Sequence, residues 1–178
     1  MNKFMLDEKI LFFLNNLSGQ SGLFDAVIVF LADYLQYFLG IVFLWLLFCS
    51  RYPQKKKYVF LFTVLLSILV ACFGIAAIIH YFYHHPRPFL VYPVNQIISA
   101  SGSSFPSGHA TFFFAMATAI FLFNKKWGIW FFIASVLIST SRVIAGVHYP
   151  SDIAGGAIIG FAVAYLIYTL IRRHSRFV

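Results

Sequence analysis

Uncharged apolar stretches long enough to cross a bilayer dominate this chain. A transmembrane helix needs about 20 apolar residues at a rise of about 1.5 Å per residue, and residues 58–79 carry no charge over 22 positions. Comparable stretches occupy 106–123, 127–147 and 153–171, and the longer stretch 24–50 is interpreted as one tilted or broken span. We therefore expect an all-α, polytopic membrane helix bundle of about six helices, five or six of them spanning.

The composition agrees with a bilayer environment. Hydrophobic residues make up 61% of the 178 residues and charged residues 10%, whereas a soluble domain carries about 25% charged residues. This excludes a soluble globular domain, a disordered chain and a disulfide scaffold. The length predicts a single membrane domain over 1–178, in which residues 1–20 form an amphipathic helix at the interface.

The cations predict the orientation of the bundle. Nine of the 13 Lys and Arg residues lie in 51–57, 125–126 and 172–176, and the positive-inside rule makes that side, with the C-terminus, cytoplasmic. The opposite side holds all five acids. Of these, Asp25 and Asp33 are expected either to line the site or to sit in an interfacial bend, and the bend is preferred. The net charge of +8 is thus a topology signal, and no nucleic-acid partner is expected.

Polar residues gather in three clusters at helix ends on the predicted outer side. These clusters are 80–88, 103–109 and 141–152. Because consecutive spans alternate in direction, all three clusters meet at one end of the bundle. Polar groups are costly inside a membrane, so such a gathering indicates a functional site.

The parts of a phosphate site are present in these clusters. Pro106 suits the first position of a helix, which would leave the N–H groups of residues 107–109 unpaired and able to bind an anion. Gly108 allows the backbone to approach a ligand closely. Arg87 and Arg142 each offer a planar, permanently charged fork for phosphate oxygens.

Two histidines have natural roles beside a bound phosphate. His148 lies four residues before Asp152, so the carboxylate can accept the proton of one ring nitrogen and leave the other free to attack. His109 would donate a proton to the leaving oxygen and later activate water. The attack would give a phosphohistidine intermediate. No carboxylate cluster suited to a divalent cation accompanies them, so neither a metal nor another cofactor is expected.

These motifs resemble the signatures of a known family. Residues 106–109 read Pro-Ser-Gly-His, and 141–152 read Ser-Arg-x5-His-x3-Asp; both resemble signatures of the type 2 phosphatidic acid phosphatase superfamily of membrane lipid phosphatases. Residues 87–88, Arg-Pro, resemble the end of its first signature, so the resemblance covers 80–152 directly. It implies these roles: His148 as nucleophile, Asp152 as its partner, His109 as acid, and Arg87, Ser107, Gly108 and Arg142 as phosphate ligands.

One position departs from the family pattern. The first signature has a lysine where this chain has His80, and His80 is expected to take its place in the phosphate site. A compensating contact from His84 or His85 is an alternative, although both are expected to be loop residues. Ser103 and Ser104 are expected only to end the loop before the next span.

The stretch from residue 87 to residue 107 is similar to that of bacterial undecaprenyl-diphosphatases. This resemblance implies removal of the terminal phosphate of undecaprenyl diphosphate at the outer face of the bacterial cytoplasmic membrane. The alternatives are a phosphatidylglycerophosphate or phosphatidic acid phosphatase, a lipid phosphotransferase, and a non-catalytic binder or transporter of anionic lipid. The sequence leaves the oligomeric state open.

Overall fold

The computed structural model describes residues 3–174, with the side chains from residue 6 onward. Arg176, one of the cations used to predict the orientation, lies outside the described residues. Seven helices and no strands occur between residues 3 and 174: α1 Lys3–Asn15, α2 Gly22–Cys49, α3 Gln54–Phe82, α4 Pro88–Val91, α5 Gly108–Phe123, α6 Lys125–Ile144 and α7 Pro150–His174.

Four of these helices are long and apolar enough to cross a membrane, namely α2, α3, α6 and α7. Helix α5 is apolar but shorter, with 16 residues, and reaches about 24 Å. The all-α, multi-pass fold class is therefore confirmed. The predicted span 24–50 is one continuous helix that contains a π-helical turn at Phe30–Tyr34, and α3 contains another at Leu69–Ala76.

Helix α1 packs against one end of the bundle. Its 13 residues reach about 20 Å, which is too short for a hydrocarbon core about 30 Å thick. Leu11 is fully buried in a cluster with Val143. At the end of α1 the side chain of Asn15 donates to the Asn95 carbonyl at 2.8 Å and accepts from the Asn95 N–H at 2.8 Å.

Two glycines let α7 lie directly against α5. A Cβ atom on Gly156 would come within 2.7 Å of the Ser107 carbonyl oxygen, and one on Gly160 within 2.6 Å of the Thr111 carbonyl oxygen. Because neither residue has a Cβ, the two backbones meet, and the Ser107 N–H donates to the Asp152 carbonyl oxygen at 3.1 Å. The beginnings of α5 and α7 are thereby joined.

The cation-bearing connections meet at one end of the molecule. The Asn124 side chain donates to the Tyr52 hydroxyl at 3.1 Å, and the rings of Tyr52 and Trp127 lie 6.1 Å apart. The segments 83–107 and 145–149 lie at the opposite end, which we call the site end. The expected separation of basic connections from polar clusters is therefore present in the fold.

Candidate active site

His148 lies in the short connection between α6 and α7. The turn depends on Gly146, which has a φ of +76° and whose absent Cβ would come within 2.7 Å of the Asn95 carbonyl oxygen. The chain then places His148 in the interior, with 2% of its surface exposed. Its Nδ1 lies 3.2 Å from Oδ2 of Asp152 in the first turn of α7, as the four-residue spacing predicts.

The partners of His148 determine which ring nitrogen carries the proton. Arg87 Nη1 lies 3.3 Å from His148 Nε2, and a guanidinium group can only donate. Nε2 is therefore the acceptor, and the proton lies on Nδ1, which donates to Asp152. Burial lowers the pKa of His148, while the hydrogen bond and the charge of Asp152 act in the opposite direction.

Asp152 Oδ2 accepts two further hydrogen bonds. The Tyr149 N–H donates at 2.8 Å and the Ser104 hydroxyl at 2.5 Å. Ser104, which is fully buried, thus does more than end a loop, and the sequence interpretation missed this contact. The available signal was that Ser104 belongs to a polar run in an otherwise apolar chain.

Helix α5 begins two residues later than the sequence predicts. Ser107 is its N-cap, with extended backbone and a side-chain oxygen that accepts from the Ala110 N–H at 3.4 Å. The first helical residue is Gly108, so the placement of Pro106 at the first helical position is wrong. A serine at this point supplies the capping oxygen that a proline lacks.

The predicted anion site at this helix start is smaller than expected. The Ser107 N–H is not free, because it donates to the Asp152 carbonyl oxygen at 3.1 Å. The N–H groups of Gly108 and His109 have no acceptor within the described residues. Two of the three expected backbone donors therefore remain available to an anion.

Space for a ligand exists next to Gly108. A Cβ atom added there would meet nothing within 4 Å. An apolar groove of about 410 Å³ begins at Gly108 and His109 and runs between α2, α3 and α5; its other lining residues are Gln36, Tyr37, Cys72, Phe73, Phe112 and Phe113. A lipid tail could lie in this groove with its headgroup at the start of α5.

Arg142 connects His109 to helix α2. Its Nη1 lies 3.2 Å from His109 Nε2, from Oδ1 of Asp33 and from the Ala32 carbonyl oxygen. Both α2 residues belong to the π-helical turn. The preferred position of Asp33 in an interfacial bend is therefore wrong, because α2 carries it to Arg142, which agrees with the alternative that it lines the site. Asp25 instead accepts a backbone hydrogen bond from the loop before α2.

Arg87 is mostly engaged by backbone carbonyls. Its Nη2 donates to Ser101 at 2.8 Å, its Nε to Gly102 at 3.2 Å and its Nη1 to Val147 at 2.9 Å. Arg87 therefore ties the loop before α5 to the connection that holds His148. Nη1 is its donor that also reaches the ring of His148.

The remaining histidines of the first cluster differ in their contacts. His80 Nε2 donates to the Pro106 carbonyl oxygen at 2.9 Å, so its ring contacts the backbone before α5. His84 is exposed, as expected of a loop residue. His85 is not a plain loop residue, because its Nδ1 lies 3.8 Å from Oδ1 of Asp152.

Contacts join the expected site residues into one connected group at the site end. Asp152 links His148 to the start of α5, and His109 links that start to Arg142. Within residues 3–174 no group of three or more His, Cys, Asp or Glu side chains is arranged to hold a metal ion.

Comparison with known proteins points to one family. Residues 60–176 match the model of the PAP2 superfamily. Bacitracin transport permease protein BcrC of Bacillus licheniformis is 34% identical over 161 residues, which cover 88% of this chain and 76% of that protein. Undecaprenyl-diphosphatase BcrC of Bacillus subtilis is 30% identical over 163 residues, covering 87% of this chain and 79% of that protein.

Solved structures share the architecture. The crystal structure of Aquifex aeolicus LpxE matches with a TM-score of 0.72 and 26% identity, covering 92% of this chain and 95% of that one. Proteins named lipid A phosphatases are also among the curated relatives. The chain belongs to the PAP2 superfamily, and it is a multi-pass membrane phosphatase.

Proposed function

We propose that the protein removes the terminal phosphate of undecaprenyl diphosphate at the outer membrane face, through a phosphohistidine intermediate on His148. The proposal rests on the contacts of the two ring nitrogens of His148. Its Nδ1 proton is held by Asp152, and its Nε2 lone pair points toward the Arg87 guanidinium. When a phosphate oxygen takes over this donor of Arg87, the unprotonated Nε2 of the buried imidazole is free to attack a phosphorus atom.

In the first step His148 Nε2 attacks the terminal phosphorus. The N–P bond forms as the bond between phosphorus and the bridging oxygen breaks, and the bridging oxygen takes a proton from His109. The positive charge that develops on the imidazole is stabilised by the carboxylate of Asp152. The lipid leaves as undecaprenyl phosphate.

In the second step water attacks the phosphorus of the phosphohistidine. His109 accepts the water proton, the N–P bond breaks, and inorganic phosphate leaves with His148 restored. Arg142, Arg87 and the free N–H groups of Gly108 and His109 offer donors to the phosphoryl oxygens in both steps. Such fixed donors stabilise the charge of a transferring phosphoryl group.

Phosphate binding would also prepare His109 for acid catalysis. In the structure the His109 Nε2 atom accepts from Arg142 and therefore carries no proton there. A phosphate oxygen is a stronger acceptor for a guanidinium group than a neutral imidazole is. When phosphate takes over this donor of Arg142, Nε2 becomes free to hold the proton that the leaving oxygen needs.

The preference for a polyprenyl diphosphate rests on the relatives and on the apolar groove. The two BcrC proteins align with most of this chain, and the Bacillus subtilis protein is named an undecaprenyl-diphosphatase. The apolar groove that would hold a lipid tail includes Gly108 and His109 in its lining. Phosphatidylglycerophosphate and phosphatidic acid are the alternative substrates within the same chemistry.

The name of the Bacillus licheniformis relative describes a transport permease, which corresponds to a non-catalytic alternative. A protein that only moves or binds an anionic lipid needs cationic groups such as Arg87 and Arg142. It has no need of a buried His148 whose proton position is set by Asp152 and Arg87. The geometry therefore supports hydrolysis.

Phosphate release tests the proposal directly. The purified protein is given undecaprenyl diphosphate, phosphatidylglycerophosphate and phosphatidic acid in parallel with EDTA present. We expect fastest release from undecaprenyl diphosphate, none from His148→Ala, and unchanged rates with His84→Ala, an exposed histidine of the same cluster. Preference for a monoester would reassign the substrate, and loss of activity in EDTA or activity in His148→Ala would refute the mechanism.

A further inference from the structure

The two oxygens of Asp152 are in different situations. Oδ2 accepts from His148 Nδ1, the Tyr149 N–H and the Ser104 hydroxyl. Oδ1 is buried and has no hydrogen-bond partner in the part of the chain that the structure describes. A carboxylate whose position decides the orientation of a nucleophile is thus held through one oxygen.

His85 is the group that faces the other oxygen. Its Nδ1 lies 3.8 Å from Oδ1 of Asp152, and this Nδ1 is likewise buried without a hydrogen-bond partner among the described residues. The distance is too long for a hydrogen bond, which needs about 2.7–3.2 Å. Two complementary polar atoms therefore face each other across a gap that a small ring movement would close.

The backbone of His85 is already fixed at the site. The His85 N–H donates to the Ser103 hydroxyl at 3.1 Å, and its carbonyl accepts from the Ser104 N–H at 2.8 Å. Its ring lies 5.8 Å from the parallel ring of Tyr83 and 5.1 Å from the ring of Tyr149. The loop that presents the Ser104 hydroxyl to Oδ2 therefore also presents His85 to Oδ1.

The other carboxylates near His85 already have partners. A cavity of about 600 Å³ between α1 and the loop that carries His85 is lined by His85, Asp152, Asp7 and Glu8, among others. Asp7 accepts from the N–H and hydroxyl of Ser151 at 2.9 and 2.6 Å. Glu8 accepts from the Tyr92 hydroxyl at 2.7 Å, which leaves Asp152 Oδ1 as the unpartnered acceptor beside His85.

We propose that His85 is a positioning residue whose Nδ1–H donates to Asp152 Oδ1 during the reaction and keeps Oδ2 on His148. The inference rests on the proposed function, because it takes His148 as the nucleophile. As positive charge develops on the His148 ring, a carboxylate held at both oxygens stays in line with Nδ1. A carboxylate held at one oxygen can rotate away.

Substitutions with matched chemistry and different reach test this role. The amide nitrogen of asparagine can occupy the position of His85 Nδ1, whereas that of glutamine lies nearer the position of Nε2. We expect His85→Ala and His85→Gln to lower kcat about tenfold with KM within about twofold. His85→Asn should retain most of kcat, and His84→Ala, next to it in sequence and exposed, should match the wild type.

Inhibition by vanadate adds a readout that a general loss of structure would not reproduce. Vanadate resembles a phosphoryl group under attack, so its inhibition constant reports how well His148 is held. We expect weaker inhibition in His85→Ala and His85→Gln and near-normal inhibition in His85→Asn. If His85→Ala does not fold, the asparagine and glutamine variants still decide the question.

The outcomes separate the inference from the proposed function. Equal kcat in the wild type and all three His85 variants, with His148→Ala inactive, overturns the positioning role and leaves the proposed function intact. An increase in KM at constant kcat also overturns it, because it indicates substrate binding. Activity in His148→Ala refutes the proposed function itself, whatever the His85 variants do.

Discussion

At the scale of single residues, Arg142 is held by an acid from another helix. Asp33 Oδ1 and the Ala32 carbonyl oxygen both lie 3.2 Å from Arg142 Nη1. The Arg142 side chain is nearly buried, and its Nε has no partner among the described residues. Asp33 thus orients a guanidinium group whose Nη1 also contacts His109 in the first turn of α5.

Removing Asp33 should therefore weaken phosphate binding. We expect Asp33→Ala to raise KM and to lower kcat/KM about tenfold, because Arg142 loses the acid that orients it. Steady-state kinetics of phosphate release provide the measurement. Asp25→Ala is the matched control, since Asp25 lies in the same helix without a contact to Arg142. Equal effects of the two variants would contradict the assigned contact.

The ionisation of His148 should appear in the pH profile. A protonated His148 cannot attack, so activity falls as pH drops through its pKa. Because burial lowers that pKa, the acidic limb of kcat/KM should lie below about pH 6.5, the ordinary histidine value. Diphosphate and monoester substrates, which differ in their own ionisation, should share this limb. A common limb above that value would be inconsistent with a neutral, buried nucleophile.

Sequence spacing predicts short-range contacts of the site but not long-range ones. His148 and Asp152 are four residues apart, so a helix start brings them together. Ser104 and Asp152 are 48 residues apart, and Asp33 and Arg142 are 109 apart. Such pairs depend on which helix faces pack together, and a single sequence carries little information about that.

At the scale of elements, the close approach of α5 and α7 positions the site. The two helices meet where Gly156 and Gly160 lack a Cβ, and the backbone hydrogen bond from Ser107 to Asp152 is formed at that contact. The start of α5, which offers free N–H groups, is thereby held next to the start of α7. The separation between these helices therefore decides the distance between His109 and His148.

A methyl group at Gly156 should separate these helices. In Gly156→Ala the new Cβ would lie 2.7 Å from the Ser107 carbonyl oxygen, and overpacking of this kind costs about 1–3 kcal/mol. We expect a lower thermal midpoint in detergent and about a tenfold lower kcat. Gly40→Ala, where a Cβ would meet nothing within 4 Å, should change neither. Similar behaviour of the two variants would argue against a close α5–α7 contact.

Hydropathy predicts where the long helices occur, but it does not predict the residues at which they begin and end. The apolar stretches 58–79 and 153–171 lie inside longer helices, because the adjoining polar residues continue the helix beyond the hydrocarbon core. The start of α5 moved from Pro106 to Gly108 because Ser107 supplies the cap. The π-helical turn that brings Asp33 to Arg142 has no signal in the hydropathy pattern.

At the scale of the whole molecule, the basic connections and the candidate active site lie at opposite ends. The basic connections meet around Tyr52 and Trp127, whereas α1 and the residues around His148 lie at the site end. The positive-inside rule therefore predicts that the site end lies outside the cytoplasm. In this predicted orientation the site would have access to lipid phosphates of the outer leaflet.

Labelling of single cysteines tests this orientation. In a Cys49→Ser, Cys72→Ser background, we expect a membrane-impermeant maleimide to label Asn16→Cys in intact cells. Lys125→Cys should be labelled only after lysis, because it lies at the basic end. Both positions are exposed, so differences in burial do not explain the outcome. The reverse pattern would place the candidate active site in the cytoplasm.

Capture of the phosphoenzyme tests the central claim most directly. The protein is mixed with undecaprenyl diphosphate labelled in its terminal phosphate, quenched in alkali within one turnover, and mapped by mass spectrometry. We predict acid-labile label on His148, absent in His148→Ala and longer-lived in His109→Ala, in which the base for hydrolysis is missing. Label on another residue, or full turnover with no labelled enzyme at any quench time, would contradict this mechanism.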